Sequence, residues 1–314
     1  MMTKLKLGIS ACVAGYKVRF DSGHKKSFFC TEELGKFADF VPVCPEVAVG
    51  LPTPRPTIRQ IAHGDVITVS RPDGSGDVTE ALKEFGKQTI ATQKDIAGFI
   101  FCAKSPTCGM ERVKVYHSHG KGSESNGVGV FAEQIMKGNP CLPVEENGRL
   151  NDPIIRENFI TRIFVYQRWL ELKESEITMH KLMTFHQAHK YLLMSHHVES
   201  YRELGRLLAQ PDVNPDELAE EYILGLMTAL KVKATRRTHT NTLMHIQGYF
   251  KKQLSKGKKE ELTSEIHAYR EGTAPLLVPL TLINHYIREY PNEYLESQVY
   301  LNPHPKELRL RYGY

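Results

Sequence analysis

The chain has 314 residues, 41% of them hydrophobic and 25% charged, with a formal net charge of +5. That is a globular composition, long enough for one large domain or two ordinary ones, and it excludes a disordered or fibrous chain. No run of about 18 apolar residues offers a membrane span. The start MMTKLKLGIS lacks the apolar core of a signal peptide, so the cytoplasm is the expected compartment.

Residues 4–10, KLKLGIS, alternate and end on small residues, which predicts a first strand running into the loop Ala11-Cys12-Val13-Ala14-Gly15. Segment 31–40, TEELGKFADF, opens on Thr31 as an N-cap with acids behind it and reads as a helix. FVPVCPE follows as a short strand stopped by proline. Proline fixes its own φ, lacks a donor, and pushes the preceding residue to extended geometry. Cys44, set between Pro42 and Pro45, is therefore expected on a stiff loop, two residues before Glu46.

Residues 77–95 carry Val78, Leu82, Phe85 and Ile90 near helical spacing and predict a long helix. The uninterrupted apolar run 97–103, AGFIFCA, has the length and texture of a buried parallel strand. It empties into Lys104-Ser105-Pro106-Thr107-Cys108-Gly109. Segment 117–129, HSHGKGSESNGVG, reads as a mobile loop, with 118–126 as a lid. It has no GxxxxGK[ST] pattern, so no P-loop. Residues 129–137 predict another helix.

Recurring strand-loop-helix units predict an α/β domain with a mostly parallel sheet over 1–155. From 156 to 314, helical periodicity broken by Pro211, Pro215 and Gly257 predicts an all-α C-terminal domain. The boundary is expected near Asn151-Asp152-Pro153.

In parallel sheets, ligands collect at the carboxyl ends of the strands. Cys12, Cys44 and Cys108 each follow a predicted strand, which places three thiols at one sheet edge. No CxxC pair is present, and gaps of 31 and 63 residues between the three differ from the close pairs of structural zinc. Buried structural thiols, zinc and an iron–sulfur site remain the alternatives. A 4Fe-4S cluster on three cysteines would leave one iron open.

In the second half, residues 231–259 hold nine Lys and Arg and no acid, with Tyr249 and Phe250 interleaved. The run suits phosphate contacts to a folded RNA, a solvated helix face being the alternative. Arg236, Arg237, Lys251 and Lys252 are the candidate contacts. His180, His186, His189, His196 and His197 lack HExxH and nearby acids, and are expected in packing or RNA contact rather than on zinc.

The runs SACVAGYKVRFDSG, VPVCPEVAVGLPTPRPT and KSPTCG resemble, in order and spacing, the signature blocks of the thiouracil desulfidase (TudS) family. TFHQAHKYLLMSHH and NTLMHIQGYFKKQL resemble a helical domain found fused to it, as in RudS-type tRNA 4-thiouridine desulfidases. The resemblance implies a 1–155 desulfidase domain and a 156–314 domain that docks tRNA. It implies a 4Fe-4S cluster on Cys12, Cys44 and Cys108 with one open iron. Glu46 matches the catalytic glutamate, and Ser105 a serine close to the cluster. Arg19 and Arg55 lie in matching blocks, where they would bind phosphate or the uracil carbonyl, or brace loops through Asp21 or Glu46. Cys30, Cys102 and Cys141 match no ligand position and are expected as small buried or loop thiols. The implied activity is non-redox conversion of 4-thiouridine to uridine in thiolated tRNA, with no electron-transfer partner. The alternatives are a desulfidase of free thiouracil or 4-thiouridine monophosphate, and a non-catalytic iron–sulfur RNA-binding or sensor protein.

Overall fold

In a computed structural model that describes residues 4–118, 122–211 and 213–311, the N-terminal strand forms where the alternation places it. Elements follow in the order β1 (Leu5–Ser10), β2 (Ala38–Val43), α1 (Pro45–Ala48), β3 (Arg59–His63), β4 (Val66–Ser70) and α2 (Thr79–Thr92). Then come β5 (Gly98–Phe101), β6 (Val113–His117), β7 (Ser123–Gly127), α3 (Val130–Gly138) and β8 (Val144–Glu146). The chain divides into two compact units, 1–159 and 160–314.

The first unit is α/β. Its first sheet runs β2-β1-β5-β8 with every pairing parallel. Leu5, Leu7 and Ile9 of β1 are buried on one face. Gly8 lies against the Phe99 ring so closely that a Cβ would collide with it. Phe99 stacks on Phe101 with centroids 4.5 Å apart, and both meet Phe131 of α3. This aromatic cluster fills the space between sheet and helix, where apolar area leaves water.

A second sheet, β4-β3-β6-β7, is mixed: β3 and β6 are parallel, and β4 and β7 flank them antiparallel. Sequence periodicity does not announce it, because β3, RQIAH, and β7, SESNG, are largely polar. Segment 117–129 contributes β7 to this sheet, so the expected loop and lid are in part a paired strand; residues 119–121 lie outside the described residues. Segment 31–40 also differs. A π-helical turn at Phe29–Glu33 and a 3-10 turn at Leu34–Lys36 precede β2, and Thr31 sits inside the first turn rather than capping a helix. The buried Gln60 of β3 donates through Nε2 to the carbonyls of Pro106 (2.9 Å) and Val128 (2.7 Å), which ties the second sheet to the loop after β5. A buried amide has to find such partners.

The second unit is helical. Helix α4 (Pro153–Lys173) carries the chain into it, followed by α5 (Met179–His196), α6 (Val198–Leu208), α7 (Pro215–Lys231) and α8 (Arg236–Gln247). Then come α9 (Lys256–Glu271), α10 (Leu277–Glu289) and α11 (Glu293–Glu296). Side chains of Thr178, Asn214, Thr235, Ser255 and Asn292 cap helix starts, and Gly272 closes α9 in the left-handed region that glycine adopts freely. Trp169, Phe185 and Tyr222 pack edge and tilt in its core.

The histidines serve this packing. His189 bonds the Phe185 carbonyl at 2.7 Å, His196 the Val232 carbonyl at 2.6 Å, and His186 the Tyr222 hydroxyl at 3.3 Å. His197 caps α6. Burial pulls His186 and His196 down to about 4 and His189 to about 3, so each is neutral at physiological pH.

Candidate active site

Three parallel strands of the first sheet end beside one another, and the turns that leave them enclose a cavity of about 190 Å³. Cys12 follows β1 by two residues, Cys44 follows β2 directly, and Cys102 follows β5 directly. Cys108 comes from the turn beyond β5. All four line the cavity, together with Glu46 and Arg55. None is in a disulfide.

Cys44 departs in one respect from its expected setting. It is the N-cap of the single-turn helix α1, with Pro45 at the first helical position and Glu46 in the first turn. Pro45 suits that position, since its missing N–H would have no partner there. Pro45 therefore starts a helical turn instead of holding an open loop, while Pro42 lies within the edge strand β2. That turn projects Glu46 back beside Cys44, whose Sγ donates to Glu46 Oε2 at 3.3 Å.

The other carboxylate oxygen, Oε1, accepts from Thr107 Oγ1. Arg55 Nη2 stands 4.0 Å from Oε2, with side chains 6% and 13% exposed for Arg55 and Glu46. Nη1 of Arg55 also donates to the carbonyls of Val18 (2.9 Å) and Pro52 (3.3 Å). Arg55 thus braces two loops while facing the cavity. Arg19 pairs with Asp21 at 3.5 Å and also reaches the cavity wall.

Ser105 builds the turn that carries Cys108. Its Oγ accepts from the amides of Thr107 (3.3 Å) and Cys108 (3.2 Å) and lies 2.9 Å from Thr107 Oγ1. Ser105, Thr107 and Glu46 form a continuous polar chain along one wall.

Cys12, Cys44 and Cys108 hold their protons. Burial and the neighbouring Glu46 push Cys44 up to about 11. Burial, with Glu46 behind it, raises Cys108, which is 3% exposed. Cys12 shares a hydrogen bond with Cys102 that raises Cys12 and lowers Cys102. Negative charge from Glu46 and burial both disfavour a bare thiolate.

The sequence-predicted residues Cys12, Cys44, Cys108, Glu46, Ser105, Arg19 and Arg55 are brought together here. Arg236, Arg237, Lys251 and Lys252 belong to the second unit. Arg236 is spent on packing, with Nη1 2.8 Å from the Tyr269 carbonyl and its guanidinium over that ring. Lys251 and Lys252 are exposed, and exposed Arg237 lines a groove of about 490 Å³ with Lys190, Tyr201, Arg202 and His245. Lys258 of the same basic run is paired with Glu289 at 2.8 Å.

Comparison with known proteins bears on this cavity. A family model described as 2-thiouracil desulfurase matches residues 7–147, and one described as a protein of unknown function (DUF1722) matches 190–305. The uncharacterized protein YbgA of Escherichia coli (strain K12) is 34% identical over 159 residues, covering 50% of this chain and 94% of that protein. This chain belongs to the YbgA family, and its N-terminal part matches the 2-thiouracil desulfurase model. A solved [4Fe-4S]-dependent thiouracil desulfidase, TudS, aligns at 24% identity and a TM-score of 0.39, over 49% of this chain and 98% of that one.

The desulfurase domain contains every residue of the cavity wall. Cys102 on that wall and Thr107 behind it carry roles that sequence reading missed. Cys102 ends the apolar run AGFIFCA, and the rule that points to strand ends applies to it equally. Thr107 carries no signal beyond its place between Ser105 and Cys108; fully buried, it links Glu46, Ser105 and the Cys108 sulfur, 3.6 Å away.

The turn is held from behind by Gly129, whose amide donates to Gly109 at 2.7 Å. A Cβ on Gly129 would lie 2.5 Å from the Thr107 carbonyl, a backbone group that cannot swing aside. Gly129→Ala should destabilise the desulfurase domain by about 1–3 kcal/mol through overpacking. Thermal unfolding should register that as a midpoint several degrees lower, and an unchanged midpoint would show that the turn can yield.

Proposed function

We propose that the chain is a 4Fe-4S-dependent, non-redox desulfidase that converts 4-thiouridine to uridine, with thiolated tRNA as its substrate. The observation that carries this reading is the meeting of Cys12, Cys44 and Cys108 with Glu46 at one cavity. The donor set suits the cluster in kind: three free thiols on separate strand ends, soft donors of the type iron–sulfur sites use. Lys25, Arg19 and Arg55 on the same wall would offset the charge three thiolates bring. Among the described residues, no three His, Cys, Asp or Glu side chains form a ready metal group as they are turned. Cys44 faces Glu46 and Cys12 faces Cys102, so binding requires these thiols to give up protons and rotate, as coordination of thiolates does generally. When bound, a cluster held by three cysteines supplies one iron without a protein ligand, a Lewis-acidic position for a thiocarbonyl sulfur.

The chain's own groups account for the rest. Glu46 is fixed through Oε1 by Thr107, while Oε2 loses its donor once Cys44 is deprotonated. That oxygen then takes a proton from the water that adds to C4 of the pyrimidine, and returns one to the departing sulfur. Water and thiocarbonyl become carbonyl and hydrogen sulfide, with no net electron transfer. Arg55 and Arg19 present planar donors for the uracil carbonyl or a phosphate.

Thiolated tRNA is favoured by the acid-free run 231–259 and by the basic groove of the helical unit. A second reading, free thiouracil or its mononucleotide, draws on the description of the matching family and on a cavity sized for a single base. The decisive assay is anaerobic reconstitution with iron and sulfide, followed by incubation with thiolated tRNA, 4-thiouridine monophosphate and 2-thiouracil. Loss of the thiouridine absorbance from tRNA is the expected outcome. Turnover of the small substrates alone would move the assignment to the second reading, and a colourless protein without iron would end the iron–sulfur one.

A further inference from the structure

We propose that a basic groove on the first unit holds the phosphodiester backbone of a single RNA strand, next to the base that enters the cysteine cavity. The inference rests on the nucleotide reading above and adds a second contact surface, on the desulfurase domain itself. The groove has a volume of about 650 Å³ and shares Ile58, Ala103, Lys104 and Pro106 with the cavity, so the two are immediate neighbours.

Its floor is one face of the second sheet. Gln60 of β3 stands beside Val115 of β6, and Ile61 beside Tyr116, which places Arg59 next to Lys114. Arg59, Lys114 and Tyr116 all line the groove. The Arg59 guanidinium lies over the Tyr116 ring, 4.5 Å from its centroid. One nitrogen donates to the Pro72 carbonyl at 2.9 Å, while Nε is buried without a hydrogen-bond partner. Lys104 stands exposed on the lip between groove and cavity, its backbone in the left-handed region at φ +61°.

The charges divide cleanly. Arg112 and Arg149 also line the groove but are committed to Glu111 and Glu145 at 2.6–2.7 Å. Among the described residues, neither Lys104 nor Lys114 has a carboxylate partner. The acid on the wall, Glu146, is buried and turned to the backbone, where it accepts the Met110 amide at 2.8 Å. Two unpaired lysines, Lys104 and Lys114, flank the Arg59–Tyr116 stack beside the cavity, which matches the recipe for single strands: phosphates on the cations, a base against the stack. A mononucleotide phosphate would need only Lys104 at the lip. The continuation to Lys114 and Tyr116 has work only for neighbouring nucleotides.

The test uses the full chain and a short, labelled, unmodified oligouridylate, so it does not depend on desulfidation. Binding is followed by fluorescence anisotropy across a salt series. Lys104→Asn, chosen because asparagine tolerates the left-handed backbone, combined with Lys114→Ala should weaken binding by about tenfold. The pair should also reduce the slope of log affinity against log salt by about 1.4, or about 0.7 for each lost phosphate contact. Lys114→Ala alone, on an exposed strand position, should show half that slope change and guards against a folding defect in the pair. Unchanged affinity and slope would overturn the proposal. Full displacement of the strand by uridine monophosphate or inorganic phosphate at matched concentration would also overturn it, by reducing the groove to a single-phosphate site. Polyglutamate competing as well as RNA would show a general polyanion surface and overturn it likewise. Desulfidation that fails while strand binding behaves as expected would leave the groove standing and remove only the reaction.

Discussion

Glu46→Gln is expected to lower desulfidation of thiolated tRNA by roughly 10²–10⁴-fold while iron content and tRNA affinity stay as in the wild type. The size is that of a lost general acid–base group. Glutamine keeps the shape of the side chain, and its carbonyl oxygen can still accept from Thr107 Oγ1, so the wall should hold its form. What disappears is the charge beside Cys44 and the capacity to carry a proton. Thr107→Val provides the companion measurement. It leaves the carboxylate in place but removes the hydroxyl that fixes it, with Ser105 Oγ losing a partner at 2.9 Å. A positioning role predicts a smaller drop than Glu46→Gln and a shifted pH profile. Wild-type turnover by Glu46→Gln would exclude the carboxylate as the proton carrier and leave Ser105 as the nearest alternative.

How far the fold and the site were legible depended on where the information sits along the chain. The first sheet was readable through its two central strands: LKLGIS alternates and GFIF is an apolar run, and both are almost wholly buried. The second sheet was not, since β7, SESNG, gains its extended form from pairing with β6 rather than from its own residues. The site showed the same division. Cys12, Cys44 and Cys108 were brought to one edge by the rule that strand ends of a parallel sheet gather ligands, and their roles and that of Glu46 came from the family resemblance. Thr107 became visible only when the turn folded it against Glu46, a separation of 61 residues. In the helical unit, charge alone overstated the surface: Arg236 and Lys258 are held by partners at 2.8 Å that no local pattern announces.

Iron uptake should separate Cys102 from the three cysteines around it. Cys12→Ser, Cys44→Ser and Cys108→Ser are each expected to lose essentially all iron after anaerobic reconstitution, with the broad iron–sulfur absorbance gone. Cys102→Ser should retain both. The four thiols line one cavity and none is disulfide-bonded, so position alone does not rank them. The family resemblance does, since Cys12, Cys44 and Cys108 match its ligand positions and Cys102 matches none. Cys102 sits at the end of β5 with its amide fixed by Ser10 Oγ at 3.0 Å, and its sulfur serves as hydrogen-bond partner to Cys12. A serine hydroxyl can take over that contact. Cys108 is buried, so serine there risks a stability loss of about 1–3 kcal/mol from an unsatisfied hydroxyl. Cys108→Ala, which buries no polar group, separates loss of a ligand from loss of the fold. Iron content per chain and the absorbance spectrum check all five variants without reference to turnover. An equal loss of iron in Cys102→Ser would make that residue a fourth ligand, and a fully ligated cluster would lack the open position on which attack at the thiocarbonyl carbon depends.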